Sequence, residues 1–185
     1  MKRLLFFVCT LVFFFFCNDK SSSTEVKSSD STKMAEAKTE DPVMPYMLDA
    51  PYKDWQPGDK QHAVTAMNSL KGFESGDMAA CMNGFGDSVD VRFDGFHQKF
   101  SKDSLTKFFT GERNNLSNIK IYMGDWESVI SKDKKTEYVT MWYKQVVTDK
   151  KGKTDSLNIV DDCKFANGKI VELDEKIQHF PAKKS

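Results

Sequence analysis

Apolar residues recur twice at helical spacing early in the foldable part of the chain. After Pro57-Gly58, Asp59 is placed to cap a helix whose apolar stripe is Ala63, Val64, Met67 and Leu70. Gly76-Asp77 interrupts it. Asp77 caps a second helix on which Met78, Cys81, Met82 and Phe85 fall at i, i+3, i+4 and i+7. The period then changes to two. In DSVDVRFDG, residues 87 to 95, Val89, Val91 and Phe93 alternate with Asp90, Arg92 and Asp94, which predicts a half-buried strand closing at Gly95. Ser101 is a good N-cap for a third helix. Phe100 and Leu105 form a hydrophobic staple across it, and Leu105, Phe108 and Phe109 make its apolar face. From residue 118 onward only strand patterns remain: 118–131, 136–148, 154–165 and 169–180, parted by the turn sequences KDKK, DKKGK and ANG. The expected class is α+β, with three helices packed in a mixed or antiparallel sheet of about five to six strands.

Within LNIVDDCKF, residues 157 to 165, alternation puts Leu157, Ile159, Asp161, Cys163 and Phe165 on one side. A carboxylate on the most apolar side of a strand is costly unless a pocket uses its charge or the strand end reaches water. With Ala166-Asn167-Gly168 as a three-residue loop, Phe165 opposes Lys169, Asp161 opposes Leu173 and Ile159 opposes Glu175. That register leaves Asp161 diagonal to Glu175, at about 7 Å. Two carboxyls so placed in apolar surroundings would have divergent pKa values, which suits acid–base chemistry. Alternatively, Asp161 pairs with Lys144 or Arg92 at the sheet's edge.

The segments LKGFESGDMAACMNGFGDSVDVRFDG and WYKQVVTDKKGKTDSLNIVDDCKFANGKIVEL resemble the nuclear transport factor 2-like superfamily, which includes SnoaL-like polyketide cyclases and ketosteroid isomerases. The resemblance spans residues 57 to 180. It rests on Gly76-Asp77, Asp87-Ser88-Val89, Trp142, Gly152-Lys153-Thr154-Asp155 and Gly168-Lys169-Ile170, in that order. It implies a cone-shaped domain, a strongly curved sheet wrapped round the helices with a pocket at the wide end. It also implies a homodimer through the sheet, and YVTMWYKQVV, apolar or aromatic on both faces, fits a strand covered on both sides. By family position Trp142 points into the pocket, joined by Phe93, by Asp161 and by His97 just past the Asp94-Gly95 turn; an exposed loop is the other reading for His97. Ketosteroid isomerase chemistry is disfavoured, because Arg92 or Phe93 stands where the base would be and Ser69 near the tyrosine position. Fold does not carry activity. The residues favour binding of a small, largely apolar molecule, with a cyclase, isomerase or hydrolase on Asp161 and Glu175 as one alternative and a non-catalytic interaction module as another.

The N-terminus adds an address. Met1-Lys2-Arg3 precedes thirteen uncharged residues, Leu4 to Phe16. As a helix this run would cover about 20 Å, short of a bilayer's hydrocarbon core, and it reads as a secretion signal. Cys17 follows directly, and residues 18–41 contain no aromatic residue and few apolar ones. The arrangement resembles bacterial lipoproteins of the Bacteroidetes type, with Phe16 where such signals carry a small residue. It implies a signal over 1–17, lipidation at Cys17, a disordered tether over 18–41, an extended lead-in over 42–56, the domain over 57–180 and a tail over 181–185. The expected location is the outer membrane or periplasm. The 185 residues carry 27 basic and 27 acidic side chains without a basic stripe, so no nucleic-acid partner is expected. No HExxH, paired CxxC or glycine-rich phosphate loop is present, so neither metal nor cofactor is expected. Cys81 and Cys163 read as separately buried thiols or, in an export compartment, as a bonded pair. His62, off its helix's stripe, is expected in solvent, and His179 lies close to the C-terminus.

Overall fold

A computed structural model of the protein describes residues 43–180. The expected signal, Cys17, the tether and the tail lie outside the described residues, and the fold below belongs to the unit Met47–Ser185. Helix α1 (Lys60–Ser75) starts where Asp59 accepts a hydrogen bond from the Gln61 N–H at 2.8 Å and stops at Gly76, whose φ of 82° only glycine adopts freely. The expected stripe holds in part: Ala63 is buried and Met67 and Leu70 pack half-buried against the core, but Val64 is 45% exposed, and Ala66, Ser69 and Gly72 complete the inner face. The reason is close approach: α2 (Met78–Asn83) packs so near that a Cβ on Gly72 would lie 2.3 Å from the Cys81 nitrogen. A side chain there would clash with the α2 backbone, so size as well as hydrophobicity shapes the face. Asp77 caps α2 through the Ala80 N–H, and the helix ends before Phe85. Helix α3 (Lys102–Asn114) is capped by Ser101 and buries Leu105 fully.

Seven strands form one mixed sheet among the described residues: β1 (Gln56–Pro57), β2 (Phe85–Phe93), β3 (Phe96–Ser101), β4 (Leu116–Ile130), β5 (Glu137–Asp149), β6 (Thr154–Ala166) and β7 (Lys169–His179). Their order is β1-β4-β5-β6-β7-β2-β3, with every pairing antiparallel except β2 with β7. This corrects the expectation of a strongly curved cone of about five to six strands. The sheet is open, with β1 and β3 as its two edges, and it is not strongly curved. One added strand comes from Asp94-Gly95, whose φ values of 43° and 80° make a two-residue hairpin turn. The chain therefore folds back as β3, pairing Phe93 with Phe96, before α3 begins. The other added strand is the short β1, whose Gln56 and Pro57 pair with Ile130 and Val129 of β4. One core cluster lies between the helices and one sheet face, centred on Leu105, Val89, Val91, Val139, Met141 and Ile159.

Candidate functional site

Turn chemistry and one irregularity in β7 set the site. Asn167 and Gly168, with φ of 52° and 72°, form a two-residue turn that pairs Ala166 with Lys169 and Phe165 with Ile170. Continued regularly, that register would bring Asp161 opposite Asp174. A bulge between Lys164 and Phe165 inserts Val171 as an extra residue, so Cys163 pairs with Leu173 and Asp161 with Glu175. The expected three-residue loop is thus corrected, and the two carboxyl residues are direct cross-strand neighbours rather than diagonal ones.

Asp161 is 4% exposed. The Tyr143 hydroxyl donates to its Oδ2 at 2.9 Å, and its Oδ1 has no partner among the described residues. Burial raises this carboxyl well above the usual range, the charge of Glu175 adds to the effect, and the Tyr143 hydrogen bond opposes it. Burial and the charge of Asp94 push Glu175 up to about 7. Both shifts favour the neutral carboxyl, so the pair holds its protons to higher pH than two exposed carboxylates would. Such a pair can donate and accept at one place.

The pair faces a cavity of about 290 Å³, at the small end of ligand pockets. Its walls are apolar, aromatic from Phe73, Phe85, Phe93, Phe108, Phe109 and Tyr143 and aliphatic from Leu157, Ile159, Leu173 and Ile177 among others, and Glu112, Asn115 and Gln145 also line it. Ser69 lines it from α1, buried and with its Oγ unpartnered. No Lys, Arg or His among the described residues lines the cavity. Cys81 and Cys163 do, as free buried thiols; burial pushes Cys81 up to about 12 and Cys163 upward also, so both stay protonated and inert.

The sequence-derived candidates separate here. Phe93 lines the cavity and stacks on Phe96 and Phe108, with ring centroids 4.8 and 5.9 Å away. His97 does not reach it; on edge strand β3 its Nε2 lies 3.0 Å from Asp90. Trp142 is a correction, being on the opposite face of β5 and 38% exposed, while Tyr143 is buried against Asp161. The signal was legible: Trp142 shares its side of the strand with Thr140 and Lys144, and Tyr143 shares its side with Val139 and Met141. The edge partners proposed for Asp161 are engaged elsewhere. Arg92 contacts Asp90 at 3.1 Å and Glu172 at 3.3 Å, and the Lys144 ammonium lies over the Phe180 ring at 5.9 Å. His62 is also corrected: it stacks on Phe165 and meets Glu137 at 2.7 Å instead of standing free in solvent. Among the described residues no group of His, Cys, Asp and Glu is arranged to hold a metal ion, and no helix is long and apolar enough to cross a membrane.

No family model matches the chain, and no curated protein matches it in sequence. Solved structures do match in fold. An LEH-like epoxide hydrolase from M. tuberculosis superposes with a TM-score of 0.54 at 9% identity, covering 66% of this chain and 82% of that one. AusH from Aspergillus nidulans gives 0.53 at 16% identity, over 66% and 87%. An NTF2-like protein of unknown function from Exiguobacterium sp. 255-15 gives 0.51 at 20% identity, over 62% and 98%. At these identities the likeness shows the fold alone, and that fold is NTF2-like.

Proposed function

We propose that the domain binds one small, largely apolar molecule and holds its polar group at the Asp161–Glu175 pair. The observation that carries this reading is the unpartnered Oδ1 of Asp161, buried at the wall of an aromatic cavity. A buried polar atom without a partner costs about 1–3 kcal/mol, which a ligand's polar group would recover while its hydrocarbon leaves water. The chain is exported and anchored in the outer membrane or periplasm through a lipidated Cys17, with residues 18–41 as the tether. It associates as a homodimer through the outer sheet face, where Tyr122 and Trp142 are exposed. Native mass spectrometry of protein purified from its own membrane tests the binding reading. A bound small molecule is expected; protein that carries none and takes up no apolar probe overturns it in favour of an interaction module.

A second reading is acid–base catalysis by the same pair, as a cyclase, isomerase or hydrolase. It is favoured by Glu175, whose pKa of about 7 suits a general base facing a protonated acid. The fold likeness to an epoxide hydrolase is compatible with it. Screening epoxide and polyketide-like substrates tests it, and turnover by wild type that survives in Asp161→Asn and Glu175→Gln would remove these residues from the chemistry.

A further inference from the structure

We infer that the cavity's ligand is a lipophilic amine, bound as its ammonium at the Asp161–Glu175 pair with its hydrocarbon against the phenylalanine rings. The inference rests on the binding reading above and names the class of molecule.

Charge selects the class first. The ionisable side chains that face the cavity are Glu112 from α3, Cys81 from α2, Tyr143 from β5, Asp161 and Cys163 from β6, and Glu175 from β7. None of them is a cation. The nearby basic side chains are committed to other partners: Arg92 to Asp90 and Glu172, and Lys176 to Asp162 at 2.7 Å and Asp174 at 3.1 Å. Asp94, in the β2–β3 turn, adds further negative charge near Glu175. An anionic ligand would meet only like charge here. A neutral one would leave an ionised Glu175, half-buried and bordering a second, open pocket that Arg92, His97 and Lys176 also line, without a counter-charge on the side that faces the cavity, which is costly. One ammonium matches the single negative charge that the pair carries once Glu175 ionises.

Hydrogen bonding and the walls point the same way. An ammonium offers donors and no acceptor, and the ionised Glu175 carboxylate and Ser69 Oγ, the latter without a partner among the described residues, are oxygens on separate elements of the same cavity with lone pairs to receive them. Aromatic faces attract a cation, most strongly where water is excluded, and five phenylalanines and Tyr143 supply them.

The direction of the pH effect separates this class from neutral ligands. Glu175 titrates near 7, whereas an alkyl amine stays charged to about pH 10. Amine affinity should therefore rise between about pH 6 and 8, and affinity for a neutral acceptor should fall over the same range as its proton donor is lost. The test is calorimetric titration of the full-length protein in detergent with cyclohexylmethylamine, cyclohexylmethanol and cyclohexanecarboxylate, which share one ring and differ in the polar group. At about pH 8 the amine is expected to bind at least about tenfold tighter than the alcohol, the carboxylate not at all, and Glu175→Gln should abolish the preference. Should Glu175→Gln not fold, the pH series on wild type carries the same test. Equal or tighter binding of the alcohol overturns the amine inference and leaves the binding reading standing. Failure of all three to bind overturns both.

Discussion

Tyr143 on β5 reaches diagonally across the sheet to Asp161 on β6, its hydroxyl 2.9 Å from Oδ2, although its directly paired neighbour is Ile159. The contact holds one carboxyl oxygen and leaves the other for the cavity. Tyr143→Phe removes the only donor to Asp161 found among the described residues. It should cost about 1–3 kcal/mol in urea unfolding at neutral pH and raise the Asp161 pKa further, since the lost bond favours the charged form. An unchanged midpoint would mean that the hydroxyl contributes nothing.

Stability should fall as pH rises through the near-neutral range. The folded chain holds the Glu175 proton to about pH 7, against an ordinary value of 4.5. Below the ordinary value both states are protonated and no penalty exists; above it the unfolded chain releases a proton that the folded chain retains, and the penalty is complete once the pH passes about 7. The melting temperature of wild type should drop across this window relative to Glu175→Gln. Parallel pH profiles for the two proteins would contradict the assigned shift.

Two glycines should respond in opposite ways. Gly72→Ala places a methyl 2.3 Å from the Cys81 nitrogen and should destabilise by about 1–3 kcal/mol as α1 and α2 are pushed apart. Gly111→Ala, inside α3 with no atom within 4 Å of the new Cβ, should stabilise by about 0.5–1 kcal/mol. Thermal melts of the two variants read both signs.

Cys17→Ser should move the protein from the membrane fraction to the soluble one with its near-ultraviolet circular dichroism unchanged, because the core cluster runs from Ala63 to Ile170. Retention in the membrane with continued acyl labelling would place the lipid elsewhere.

Trp142→Lys puts a charge on the exposed sheet face without touching the cavity. It should halve the mass seen in analytical ultracentrifugation and leave probe binding intact; a wild type already monomeric would end the dimer proposal.

Much of the site was legible in the chain, for a simple reason. Asp161 breaks an otherwise apolar alternation, and its mismatch with Ile159 and Cys163 is visible without coordinates. Its pairing was harder to read. It depends on a two-residue turn and a bulge whose effects on register add, and neither Asn167-Gly168 nor Val171 announces the second step. Ser69 and the small face of α1 were hidden because apolar periodicity rewards large side chains, whereas the distance to α2 admits only small ones. The β3 hairpin lay in plain view as Asp94-Gly95, but such a pair closes a strand as readily as it reverses one into another.

The parallel pairing of β2 with β7 also orders events in time. Arg92 sits beside Asp174 and Phe93 beside Glu175, although more than half of the described chain separates them. Closing so long a loop costs entropy that local hairpins do not incur, so the β4 to β6 meander can form well before this seam does. A nascent chain that has not yet delivered Lys169–His179 has β2 without its inner neighbour and Asp161 without its carboxyl partner. The carboxyl pair is thus completed only when β7 emerges, after every other strand of the described sheet, and competence for ligand should arrive abruptly at that point.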